Sequence, residues 1–300
     1  MKNKIILVLI VLTLFITLIN CQHVDRFAQS SANAGVIDRG FANMISMSAR
    51  AFGSAAEVMS LEQEYLIGRA VAARILTSYT ICNKTPELTT YLNLICGAIV
   101  INSPRPDSFN GYQVVILDSG EVNAFTTPGG HIFLTRGIIS IAQNEDDLAA
   151  VIAHEIAHNQ LRHSIKSIKS GRMTQAVLLT ATAGVGAVMG IDAEDLVDIL
   201  NESVGEILQT MVNTGYSKEQ EFQADIAAMY FMAAAGYNPG SLINMLKELN
   251  QVRSHVSDMN KTHPSPVQRV FYAERALTRF NLPDNSMFRQ ERFQQAMANF

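Results

Sequence analysis

The chain has 300 residues, 48% hydrophobic and 17% charged, with a formal net charge of -4 and a pI near 6.0. That balance offers no whole-chain attraction to nucleic acid, so nucleic-acid binding is not expected. The length allows one sizeable core, and with no long Pro/Gly/Ser linker dividing the sequence a single main domain over residues 57–300 is expected.

The chain opens Met1-Lys2-Asn3-Lys4 and then runs without a charge from Ile5 to Cys21, a pattern that predicts a signal segment over residues 1–21 and hence export. A spanning helix needs about 20 apolar residues, so retention as a short anchor is the alternative. Cys21 directly follows the apolar run, where a bacterial lipoprotein carries its lipidated cysteine. Asn20 departs from the small residue usual before it, so a lipid anchor at Cys21 stands beside ordinary cleavage or retention. Residues 22–56, rich in Ala, Ser, Gly and Asn, read as a lead-in segment.

Helical pattern strengthens from Glu57 to about Tyr79, with Leu61, Tyr65, Ala72 and Leu76 as one apolar stripe. Pro86 fits the first turn of a second helix through Leu92 and Ile95 toward Ile99, which Ser103-Pro104-Arg105-Pro106 breaks. Cys82 and Cys96 fall in these helical regions; in an exported protein they could form a disulfide, or remain two buried thiols. Three short strands follow, at Tyr112–Leu117, Val122–Phe125 and His131–Thr135, separated by turns around Asp118-Ser119-Gly120 and Pro128-Gly129-Gly130. The fold class is therefore α+β, predominantly helical, with a small central sheet.

Asn144 can cap a helix whose first turn holds Glu145, Asp146 and Asp147 and which runs through His154-Glu155-Ile156-Ala157-His158 to about His163. Side chains four apart share a helix face, so His154 and His158 can converge on one ion, while Glu155, one step around, can reach a water beside it. A second helix begins at Ser217, with Gln220 at the capping-box position, and continues toward Gly236 with Glu221 and Asp225 on one face. Paired with the first helix, Glu221 supplies a third ligand and Asp225 an acceptor for the second ring nitrogen of a ligand histidine. The expectation is one Zn2+ per chain, held by His154, His158 and Glu221. Glu155 would be the general base of a hydrolytic reaction.

These motifs resemble the HtpX-like and prenyl-protease-related zinc metalloendopeptidases, metallopeptidase family forty-eight, which combine His-Glu-x-x-His with a downstream Glu-x-x-x-Asp. Further matches are Asn123-Ala124-Phe125, Pro128-Gly129-Gly130, Arg162-His163, and Thr262-His263-Pro264 followed by Arg269. The resemblance covers about residues 60 to 275 and implies a zincin-like fold and peptide-bond hydrolysis. It also implies that His263 assists catalysis by stabilising the tetrahedral intermediate, and that His163 packs behind the ligands. The stretch around Asn123, Ala124, Phe125, Gly129 and Gly130 would dock an extended polypeptide by strand addition. A single N-terminal apolar segment fits the soluble, exported bacterial branch, facing the periplasm or attached to a membrane there. The glycine-rich run Ala176–Ile191 is then a hairpin or lid near the active site rather than a span. The implied substrates are unfolded or misassembled envelope proteins. Two alternatives are an exported zinc-binding, chaperone-like quality-control factor and a zinc hydrolase acting on a non-peptide bond. Trp is absent and no phosphate loop is present, which disfavours the second.

Overall fold

The computed structural model describes residues 59–167, 193–253, 263, 266–280, 286–298 and 300. The expected signal segment, Cys21, the whole lead-in and the Ala176–Ile191 run lie outside these residues.

Helix α1 (Leu61–Ile75) starts at a reciprocal cap: the Ser60 hydroxyl accepts from Gln63 N while the Gln63 side chain accepts from Ser60 N. Its buried face is Gln63, Glu64, Ile67, Gly68, Val71, Ala72 and Ile75, which shares only Ala72 with the predicted stripe, and Leu61 and Leu76 are exposed. The face differs because Glu64 is buried by pairing with Arg162 across the fold, so a charged position belongs to the inner side. Helix α2 (Pro86–Ile101) begins at Pro86 as expected. Cys82 is not helical, because Cys82 N donates to Ile116 O at 2.8 Å and Ile81 forms an isolated bridge with Leu117. Both cysteines are free and buried, and burial pushes the Cys96 thiol up to about 12.

Strands β1 (Gln113–Leu117), β2 (Ala124–Thr127) and β3 (His131–Thr135) form one sheet in the order β1-β3-β2, with β1 parallel and β2 antiparallel to β3. The second strand lies two residues later than predicted. The Thr135 hydroxyl accepts from Asn123 N at 3.1 Å, and this side-chain bond ends the regular ladder there. Alternation along the strands divides the interior. Val114, Ile116, Ala124, Ile132 and Leu134 face one apolar cluster, whereas Leu117, Phe125 and Phe133 face another built on α1.

Short α3 (Arg136–Ser140) leads to α4 (Glu145–Gln160), which carries both histidines of the motif. Asn144 caps α4, its side chain accepting from Asp147 N at 2.9 Å, and the three first-turn acids sit where the helix dipole favours them. Helix α4 is buried around nearly its whole circumference. It stops before His163, because Arg162 adopts a left-handed conformation (φ 56°) from which α5 (His163–Lys166) departs in a new direction. Helix α6 (Ala193–Leu208) continues into a π-helical turn over Gln209–Thr214. Then α7 (Lys218–Ala234) packs along α4, joined by α8 (Ser241–Arg253), α9 (Pro266–Leu277) and α10 (Ser286–Met297). From α10, Arg289 pairs with Asp146 at 3.0 Å and Arg292 with Glu145 at 2.5 Å, fixing the start of α4.

Helix α1 also sets the β2–β3 turn. A Cβ on Gly68 would lie 1.7 Å from Pro128 O, and one on Gly129 (φ +80°) would lie 2.5 Å from Tyr65 Cα, so helix and turn touch backbone to backbone. Asn159, next to the second motif histidine, holds the same turn from the other side by donating to Thr127 O at 2.7 Å.

Candidate active site

Local capping and long-range packing bring two helices together at the motif. Ser217 and Gln220 form a reciprocal cap on α7, so Glu221 enters the first turn and Asp225 follows four residues later on the same face. Glu221 faces the paired imidazoles of α4. His154 Nε2 and His158 Nε2 are 3.0 Å apart, and the Glu221 oxygens lie 3.6 Å from the first and 3.5 Å from the second. Ligand bonds of about 2.0–2.1 Å in a tetrahedral site imply donor–donor edges of about 3.3 Å, so these three groups have the spacing of one metal's ligands. His263 joins them, and the four candidate ligand atoms lie within 4.8 Å of one another.

The surrounding bonds orient both rings. His154 Nδ1 donates to Asp225 Oδ1 at 3.0 Å, leaving Nε2 to point into the cluster. His163 Nε2 donates to Gln223 Oε1 at 3.2 Å, so its Nδ1 accepts from His158 Nδ1 at 2.9 Å and frees His158 Nε2 in the same way. Two ring lone pairs aimed at one point repel unless a cation lies between them. A proton can serve: burial and Arg269 oppose charge on His154, but the bond to Asp225 and the nearby Glu221 carboxylate outweigh them and raise it to about 9. A divalent ion would displace that proton and be held by the same lone pairs. The donor set and spacing therefore fit an ion of zinc's size.

The other groups complete the arrangement. Burial works against charge on Glu221, yet His263 and Arg269 hold its carboxyl well below the usual range, as a ligand carboxylate requires. His263 Nδ1 is 2.6 Å from Glu221 Oε1, while its Nε2 is 3.9 Å from Glu155 Oε1. Glu155 is almost fully buried and its Oε2 has no hydrogen-bond partner, the position of a group awaiting a ligand or water. Burial raises its pKa, with His263 and His154 opposing. Asn123 and Ala124 border the cleft beside Glu155. The Phe125 ring is turned the other way, toward Tyr79 and Phe133, and Gly129 and Gly130 sit farther along, against Tyr65 and Tyr112.

Three contributors have no signal in the linear pattern. Tyr216 stacks on His158 with ring centroids 4.1 Å apart and bonds Ser164 through its hydroxyl at 2.7 Å. Gln223 sets the His163 tautomer, and Asn159 ties α4 to the sheet. Arg269 does belong to a motif, but its role emerges only in space: Nε and Nη2 bond Asp225 at 2.7 and 2.6 Å, and Nη1 lies 2.8 Å from Glu221 Oε2. The last contact has ion-pair distance but is too poorly aligned for a hydrogen bond, since Glu221 Oε2 has no hydrogen-bond partner.

Burial behind the paired imidazoles carries a testable cost. Desolvation, with Lys166 nearby, lowers His163 to about 3. Between pH 6.5 and 3 the unfolded chain binds a proton at this position that the folded chain refuses, so its contribution falls as pH falls through that window. His163→Asn should flatten this pH dependence by a few kcal/mol in urea unfolding. Parallel profiles for parent and variant would contradict the assignment.

Comparison with known proteins agrees with this geometry. The model of "Peptidase family M48" matches residues 86–276. The mitochondrial metalloendopeptidase OMA1 of Schizosaccharomyces pombe is 25% identical over 189 residues, covering 61% of this chain and 51% of that protein. The beta-barrel assembly-enhancing protease of Yersinia pestis is 25% identical over 222 residues, 72% of this chain and 44% of its own. The metalloprotease LoiP of Escherichia coli is 25% identical over 193 residues, 64% and 71% respectively. The chain thus spans about half the length of the first two relatives. With the family model covering most of the chain and the His/Glu cluster assembled inside the matched region, the chain belongs to Peptidase family M48.

Proposed function

We propose that the chain is a zinc-dependent endopeptidase of the exported branch of this family, cutting unfolded or misassembled envelope proteins. The observation that carries the chemistry is the convergence of His154, His158 and Glu221 beside a buried Glu155 with one unpartnered oxygen. His154, His158 and Glu221 would hold Zn2+, which supplies a Lewis acid and lowers the pKa of water. Glu155 accepts the proton of the attacking water and returns it to the departing amine. His263 faces Glu155 through Nε2, from where it would donate to the oxyanion that forms at the scissile carbonyl. Asp225 and His163 keep the ligand rings in register.

In substrate docking, an extended peptide would align along β2, an edge of the sheet. Asn123 and Ala124 would meet it beside Glu155, Phe125 would contribute backbone only, and Gly129 and Gly130 would shape the far end of the track. The envelope substrates and periplasmic side are supported by the uncharged segment from Ile5 to Cys21 and by relatives named for beta-barrel assembly. A lipid at Cys21 would hold the enzyme at a membrane. Among the described residues no helix is long and apolar enough to cross one.

The test is hydrolysis of casein by the purified protein with and without a chelator, alongside elemental analysis. One zinc per chain, activity lost on chelation and restored by zinc is the expected result. Chelator-resistant hydrolysis, or zinc-loaded protein that never cuts, would overturn the proposal.

A further inference from the structure

An apolar pocket of about 60 Å³ opens beside the His/Glu cluster, with Glu155 and His154 on its wall. Val151 lies one helical turn before Glu155 on α4, so the pocket begins about a turn away from the carboxylate that would activate water. The opposite wall is α8, where Leu242, Met245 and Leu246 recur at the i, i+3, i+4 spacing of one helix face, and Ile138 of α3 closes a third side. All five of these apolar residues are buried, yet a space remains between them. Among the described residues, the formal charges on its lining belong to the catalytic cluster, where Arg269 is already engaged by Asp225 and Glu221.

We propose that this pocket receives one aliphatic side chain of the polypeptide, adjacent to the bond being cut, and so sets the cleavage preference. The inference rests on the peptidase reading and adds a substrate class to it. Volume decides the size: one water needs about 10–15 Å³, so the pocket holds about four to six heavy atoms. That suits the side chain of Leu, Ile, Val or Met. The Phe side chain, with about seven heavy atoms, is too large without rearrangement, and Ala leaves most of the space empty. An acidic side chain would be desolvated there without a partner, and a basic one would pair with Glu155 and take away the base that activates water.

The experiment uses the zinc-loaded full chain and quenched peptides that differ only at residues flanking the scissile bond. Each methylene placed in such a pocket changes kcat/KM by about 10- to 200-fold. At one flanking position Leu or Met should therefore exceed Ala by about 100-fold or more, with Phe below Leu and Asp or Lys cut least. Met245→Ala deepens the pocket and should move the optimum toward Phe. Leu249→Phe, at the half-buried rim, should narrow it and move the optimum toward Ala, which keeps the test open if the core variant folds poorly. Cleavage of all peptides at equal rates, a preference for charge, or an optimum unmoved by both variants would overturn the pocket assignment while leaving the peptidase reading intact. Zinc-loaded protein that cuts neither casein nor any of these peptides would overturn both.

Discussion

Glu155→Gln should retain one zinc per chain and lose casein hydrolysis by about 100- to 10,000-fold, the range for removing a positioned general base. The substitution keeps shape and hydrogen-bonding capacity but cannot take a proton. Glu155 lies on α4 between the two histidines and is not needed to complete the three-donor set, so metal content should not change. Its environment favours proton transfer, because the side chain is about 2% exposed, one oxygen lacks a partner, and burial makes the carboxylate a stronger base than one in water. Elemental analysis and initial rates on the same sample separate the possibilities. Full activity in the variant would mean that another group accepts the proton. Loss of zinc with loss of activity would mean that Glu155 holds the metal site together instead.

The parts of this site that local chemistry dictates were legible in the residues. Asn144, Ser217 and Gln220 announce where α4 and α7 begin, because orphan amides at a helix start need an acceptor. Once both starts are fixed, four-residue spacing puts His154 with His158 and Glu221 with Asp225. Pattern and structure part where a distant partner overrides a local rule. Glu64 is an inner-face residue of α1 only because Arg162 reaches it, and Arg162 can do so because α4 has ended in a left-handed turn that nothing in its neighbours requires. The Thr135 hydroxyl shifts the start of β2 by capturing Asn123. Tyr216 meets His158 through the packing of a segment more than fifty positions away in sequence, which periodicity does not encode.

Arg269→Met should be the most damaging single change to stability, lowering it by about 3–5 kcal/mol at neutral pH, the cost of leaving buried charge unpaired. That is a large fraction of a total that is only about 5–15 kcal/mol in ordinary domains. Arg269 is about 5% exposed and its planar fork serves two carboxylates at once, Asp225 through two bonds and Glu221 through one close contact. Arg269→Lys keeps the charge but not the fork, so it should recover only part of the loss. Acid separates this account from simple loss of packing. In the parent, burial works against both carboxylates, but Arg269 and the histidines hold them below their unfolded values of 3.8 and 4.5. Their contribution is present above those values and is lost as pH falls through the depressed folded ones. Without Arg269, burial favours the protonated acids, the folded pKa values rise above the unfolded ones, and stability should recover as pH falls from about 7 toward about 5. Urea midpoints measured across that range should therefore converge for parent and variant. A constant offset would show that the guanidinium acts mainly as packing volume, and an unchanged midpoint at about pH 7 would show that the two acids already neutralise each other by sharing a proton.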